Sequence, residues 1–258
     1  MAQQQPYPHG LQSLSPATAI ERVLARLGAF REVPLDAGSP FVRPASILYE
    51  LDGKERRWDI VKAHASVGAV LYDKTRDAFI VVRQFRPAVY AARCRAAAEE
   101  GRPEPPKDVG FTFELCFTFE LCAGLVDKSG KTLAQITAEE ISEECGYEIA
   151  PERLVNIGSA IASSGTTGSE HYMFFGVVDE AMRTSEGGGI KGHGEAIEVL
   201  ALPFDAAPAF VADSSLAKSP GLMYGVTWAY YSLRSGDVKG RRGSLETQPL
   251  ELRSVLPS

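Results

Sequence analysis

Apolar and polar residues alternate along several stretches of the chain, and alternation with period two is the mark of a strand. "SILYELDGKERRWDIVKA" (46–63) alternates on both sides of Asp52-Gly53 and predicts a hairpin. "VGAVLYDKTRDAFIVVRQFR" (67–86) predicts a second pair, turning between Asp73 and Asp77. "RLVNIGSAIASS", "HYMFFGVVD" and "AIEVLALP" predict three more strands. The loop between the last two contains Gly187, Gly188 and Gly189 and reads as mobile. "PFDAAPAFVAD" and "PGLMYGVTWAYYSLRS" read as helices, with Pro203 and Pro220 near their starts. The stretch 91–108 shows no period and reads as a long loop. Strands first, one central helix, more strands and then helices predict a mixed sheet with helices packed against it.

One stretch is written twice. "FTFELC" occupies 111–116 and again 117–122. Six is even, so the repeat keeps the faces: Phe111, Phe113, Leu115, Phe117, Phe119 and Leu121 point one way. The Thr, Glu and Cys residues point the other. Each copy reads as a half-buried strand. Twelve residues in line exceed the usual strand of about 5–6, and no turn residue separates the copies. One copy is therefore expected in the core and the other to be extra.

The central helix, "TLAQITAEEISEECGY", starts at Thr132, which forms a capping box with Gln135. Gly146 suits its end. Glu139, Glu140, Glu143 and Glu144 lie between, with no Lys or Arg on the helix. Like charges at this spacing repel, and acids in the last turns oppose the helix dipole. At about 100° per residue, Glu140, Glu143 and Glu144 cluster beside an apolar face of Ala134, Ala138, Ile141 and Cys145. A solvated acidic face is one explanation. A divalent cation, which removes both costs, is the other; converging carboxylates suit Mg²⁺ or Mn²⁺.

Composition narrows the class. The balance of 33 Asp plus Glu against 27 Lys plus Arg argues against a nucleic-acid surface. No run approaches the ~20 apolar residues of a membrane span. The N-terminus lacks the basic start and apolar run of a secretory signal, although 17–30 has the pattern of an amphipathic helix. Cys94, Cys116, Cys122 and Cys145 lack metal-type spacing and read as reduced thiols of a cytoplasmic protein.

"AGLVDKSGKTLAQITAEEISEECGY" (123–147) resembles a Nudix box: Gly124 matches its first Gly, and Glu140, Ile141, Glu143, Glu144 and Gly146 match its second half in register. Together with "RWDIVKAHASVGAVLY", "VVRQFRPAVYA", "ELCAGLVD", "SSGTTGSEHYMFF", "GEAIEVLALP" and "GLMYGVTW", the chain is similar to the UDP-sugar diphosphatase branch of the Nudix hydrolases from about residue 40 to 234. The resemblance implies a Nudix fold, an α/β/α sandwich with an N-terminal β segment used in dimerisation. The expected layout is an extension at 1–40, a dimerising segment at 41–65, a hydrolase domain at 66–235 and a disordered tail at 236–258. The copy in use should be 117–122, because it runs directly into Ala123-Gly124.

The resemblance also assigns roles. Glu140, Glu143 and Glu144, with the Ala123 carbonyl, would hold Mg²⁺ or Mn²⁺. Arg86 would contact phosphate, Glu120 would steady the site, and Gly165 and Gly168 would lie against the substrate. Glu195 matches a family acid that serves as ligand or base, with His193 and Glu143 as further catalytic candidates. The expected substrate is a UDP-sugar, cleaved to UMP and sugar 1-phosphate by a homodimer. ADP-ribose hydrolysis and a nucleotide-binding module without turnover are the alternatives. The chain departs from the box in two ways. The loop from Gly124 to Glu140 is one residue too long, and Lys131 and Glu139 stand where the family has Glu and Arg. That exchange reads either as a charge-swapped pair or as two unrelated surface charges.

Overall fold

The computed structural model describes residues 7–15, 30–35, 39, 42–102, 117–189 and 197–237. In chain order the strands are β1 (Gln12–Ser13), β2 (Arg43–Leu51), β3 (Lys54–Lys62), β4 (Ser66–Asp73), β5 (Ala78–Phe85), β6 (Phe117–Glu120), β7 (Cys122–Leu125), β8 (Val155–Ile161), β9 (Glu170–Val178) and β10 (Ile197–Pro203). The helices are α1 (Pro87–Glu99), α2 (Leu133–Glu140), α3 (Ala207–Ala212) and α4 (Pro220–Ser235). α2 continues directly into a π turn over Ile141–Cys145.

Eight strands form one mixed sheet in the order β1-β10-β5-β4-β9-β8, with β6 on β5 and β7 on β4. Among the described strands only β4 and β9 pair in parallel. Val70, Phe119, Leu121, Leu200 and Leu202 pack on Phe210, Leu222 and Val226 of α3 and α4. On the other face Val67, Ala69, Cys122 and Val199 pack on Ile136, Ile141 and Cys145 of α2 and its π turn. The expected α/β/α sandwich is therefore what forms. Truncating a fully buried side chain such as Leu222 to Ala would cost about 2–5 kcal/mol.

The two hairpins form as expected. Leu51 pairs with Lys54 across Asp52 and Gly53, which both adopt positive φ as a type I′ turn requires. β4 and β5 pair only from Leu71 to Asp73 with Ala78 to Ile80. Beyond that they part, and the second FTFELC copy fills the fork. β6 pairs with β5, and β7 takes over on β4. The copy 117–122 thus lies in the sheet, and the copy 111–116 lies outside the described residues. One correction applies: the strand is covered on both faces. Phe119 and Leu121 face α3 and α4, while Cys122 is buried against α2.

Two other expectations change. Residues 87–99 are helix, not the long loop read from 91 onward. Pro87 opens the helix and alanines sustain it; it buries only Tyr90 and Ala97, so no apolar period marks it. Residues 7–15 are not a loose extension. Gln12 and Ser13 pair with Ala201 and Leu200 at the sheet edge. Tyr7 donates to Glu198 at 2.5 Å, and Glu198 also takes two hydrogen bonds from the buried Arg83. The segment 17–29 and the tail from 238 lie outside the described residues. No helix among the described residues is long and apolar enough to cross a membrane.

Candidate active site

The site is built where β7 meets α2. Thr132 Oγ1 accepts from the Gln135 N–H, and Gln135 Oε1 accepts from the Thr132 N–H, so the capping box starts α2 as its sequence predicts. At the far end Gly146 adopts φ 77° and donates to the Ser142 carbonyl. The intervening π turn was not expected. Such turns widen a helix by one residue and recur at functional sites. Here Ile141, Glu144 and Cys145 are all buried within it.

Segment 184–189 closes the helix end. Gly188 N–H donates to the Glu144 carbonyl and Gly189 N–H to the Glu143 carbonyl, satisfying groups that a helix end leaves unpaired. A Cβ at Gly146 would stand 2.2 Å from the Ser185 carbonyl oxygen, so that position needs Gly twice over. The glycine run expected to be mobile is thus pinned at this point. His193 and Glu195, on the same loop, lie outside the described residues.

The four acids divide into two rows. Glu140 and Glu144 face β7. A Cβ at Gly124 would stand 2.1 Å from Glu140 Cδ, so the absent side chain makes room for that carboxylate. Glu144 is buried, and its Oε2 accepts from the Ala123 N–H at 3.0 Å. Burial pushes its carboxyl up to about 8; the Ala123 N–H and the Cys122 thiol oppose the rise, and the Glu140 charge adds to it. Ala123, the expected carbonyl ligand, sits opposite Gly68 on β4.

Glu139 and Glu143 form the outer row, where lysines meet them. Lys131 Nζ hydrogen-bonds Glu139 Oε1, so the exchanged charges do form a pair. Lys128, which the sequence reading missed, lies 3.1 Å from Glu139, 3.4 Å from Glu140 and 3.8 Å from Glu143. Burial works against its charge, yet its hydrogen bond to Glu139 and the fields of Glu140 and Glu143 raise its pKa overall. The hydrogen bonds of Lys131 and Lys128 hold Glu139 below the usual carboxylate range. A signal for Lys128 was present: "DKSGK" puts two cations beside a helix that has four acids and none.

Arg86 and Glu120 are brought together. Arg86 Nε and Nη2 donate to the two Glu120 oxygens at 2.9 and 2.7 Å, a bidentate pair. Thr118 Oγ1 also donates to Glu120. Arg86 lies close enough to Glu144 for its charge to favour the ionised carboxylate. Gly165 and Gly168 belong to a different surround. Gly165 accepts from Trp58 Nε1 at 2.8 Å, and Val61 N–H donates to Thr166, so their loop is tied to the β2–β3 hairpin.

Among the described residues no three His, Cys, Asp or Glu side chains converge closely enough to hold a metal ion as they stand. Their chemistry nevertheless fits one. Glu140, Glu143 and Glu144 are hard oxygen donors on one helix. Gly124 leaves the space that Glu140 enters, and Glu144 is a buried acid beside another acid.

No protein-family model matches the chain. Among known proteins, a uridine diphosphate glucose pyrophosphatase NUDT14 of Bos taurus is 37% identical over 212 residues, covering 78% of this chain and 93% of the relative. Its counterpart of Mus musculus is 34% identical over 210 residues, covering 77% and 92%. A GDP-mannose pyrophosphatase of Klebsiella pneumoniae is 32% identical over 147 residues, 57% of this chain and 62% of the relative. The acid-bearing helix that follows Gly124, the three-layer fold and identities sustained over most of two relatives lead to one conclusion: the chain belongs to the Nudix hydrolase family.

Proposed function

We propose that the protein hydrolyses the pyrophosphate bond of a UDP-sugar such as UDP-glucose, giving UMP and sugar 1-phosphate, with Mg²⁺ or Mn²⁺ as cofactor. The observation that carries this reading is the pair of inward acids, Glu140 in the space left by Gly124 and Glu144 buried on the Ala123 N–H. Stability alone gives no reason to bury the Glu144 carboxyl beside the partly buried Glu140. Two relatives covered almost end to end are named for UDP-glucose.

Glu140, Glu143 and Glu144, with the Ala123 carbonyl, would hold the cation, which when bound supplies positive charge to the diphosphate oxygens and activates water. The chain's own residues do the rest. Arg86 offers a guanidinium to a phosphate, and Glu120 with Thr118 aims it. Gly165 and Gly168 border the substrate from the hairpin side. Glu195, or His193 in its place, takes the proton from the attacking water; their loop leaves Gly189 beside the Glu143 carbonyl. Glu143, half-exposed on the outer row, is the remaining acid for that task.

We place the protein in the cytoplasm as a homodimer joined through segment 41–65. Ile47, Tyr49 and Leu51 share one face of β2, with Trp58 opposite Ile47, and all four are exposed. A pair of strands with one bare apolar face gains from a second copy. Sedimentation should show a dimer that Trp58→Ser weakens, and a monomeric wild type would remove that assignment. Function is tested by UMP release from UDP-glucose against AMP release from ADP-ribose, both with Mg²⁺. Faster UMP release is expected. Faster AMP release would move the substrate to ADP-ribose, and no release from either would leave a binding module.

A further inference from the structure

We infer that Lys128 is a tethered counter-ion of the acidic cluster: in the metal-free protein its ammonium holds Glu139, Glu140 and Glu143 together, and an incoming divalent cation must displace it. This inference rests on the metal reading above and adds a residue that sets the affinity.

The geometry separates two lysines on one loop. Lys131 pairs with Glu139. Lys128 lies within 4 Å of three carboxylates, two of which are proposed metal ligands. An ammonium is a compact charge with three donors on a flexible stem. Two donors reach Glu139 and Glu140, Glu143 stands 3.8 Å away as an ion-pair partner, and a single charge cannot neutralise all three.

The loop that carries Lys128 is held at both ends. Val126 N–H donates to the Ala65 carbonyl, and Thr132 is fixed by the capping box. The backbone therefore keeps Lys128 beside the cluster, and its stem is the part free to swing. Its side chain is about one-third exposed, so water is at hand when it leaves. No covalent bond changes in the exchange: carboxylate oxygens would replace water on the incoming cation, the ammonium would give up its hydrogen bonds to Glu139 and Glu140 and turn outward to water, and the cluster would trade one positive charge for two.

Competition lowers apparent affinity by the fraction of time the site is open. An ammonium in place for ~70–90% of the time weakens metal binding about three- to tenfold. The prediction is specific to Lys128, since Lys131 pairs with Glu139, which is not a proposed ligand.

Mn²⁺ titration by calorimetry tests this on the full chain. Lys128→Gln should bind Mn²⁺ about three- to tenfold more tightly, whereas Lys128→Arg and Lys131→Gln should stay within about twofold of wild type. The metal-free Lys128→Gln protein should melt lower and gain more from Mn²⁺. A second readout uses the wild type alone: acetic anhydride labelling followed by mass spectrometry should show Lys128 several-fold more reactive once Mn²⁺ saturates the protein. Unchanged or weaker binding by Lys128→Gln, or labelling that Mn²⁺ does not raise, would overturn the counter-ion role while leaving the metal site standing. A wild type that binds no Mn²⁺ would overturn the metal reading and this inference together.

Discussion

Glu139 and Glu144 share one helix, and the fold treats them oppositely. Glu139 looks outward and is held by Lys131 and Lys128, which stabilise its ionised form. Glu144 looks inward, takes one backbone hydrogen bond, and burial disfavours its charge. Glu139 sits as an ordinary surface acid does, where paired charges contribute little. The inner row resembles a site, where the fold sustains a cost for the sake of a ligand. The difference lies in burial, which the residue type does not reveal. The π turn contributes by turning Ile141, Glu144 and Cys145 all toward the sheet.

The sharpest way to break this contrast is Glu144→Gln. The change keeps shape and removes an inward acid, so turnover of UDP-glucose should fall at least ~10²-fold, the scale of losing a main electrostatic contact. The metal-free protein should melt at the same temperature or slightly higher, because burial already disfavours the Glu144 charge and an amide carries none. The outer counterpart, Glu139→Gln, should keep turnover within about threefold. Equal losses from both would mean that the rows are not functionally distinct.

Gly124→Ala tests the inner row from the strand side. The new Cβ would fall on the Glu140 carboxylate, which must then move. Small displacements of a catalytic group cost large factors, and about a tenfold loss of turnover is expected, with weaker Mn²⁺ binding measured in parallel. Gly130→Ala, where no atom lies within 4 Å of a Cβ, is the control for the same substitution. Its positive φ of 80° makes a small loss of stability its expected effect, not a loss of metal. Wild-type Mn²⁺ binding by Gly124→Ala would show that Glu140 is not a ligand.

What the sequence made legible follows the same division. Period and turn residues predicted both hairpins, and the capping box and Gly146 predicted the ends of the helix. These signals are local. The charge exchange at Lys131 and Glu139 could be matched by spacing. The rest depended on contacts between distant segments. α1 buries too little to leave a period, and the Tyr7–Glu198 strap joins residues 191 positions apart. Lys128 becomes interesting only when its loop folds back over α2. The acid list itself was readable, yet which acids face inward was not, because 100° spacing placed Glu140 and Glu144 together without saying what covers them.

The smallest expected effect concerns the outer row alone. Lys131→Glu would place two acids together beside Lys128, which would then be shared among more carboxylates. Mn²⁺ affinity and turnover should fall modestly as the loop loosens. Glu139→Arg in the same protein restores an opposite-charge pair in the reverse sense, and activity should recover. The pair is largely exposed, so the coupling in the double-mutant cycle should be about two- to fivefold. The recovery has a physical route: the loop between Gly124 and Thr132 is held over α2 by this pair and by Lys128. If the two changes simply multiply, the ion pair does not hold the loop. The position of Lys128 would then depend on its own three carboxylates and on the capping box at Thr132.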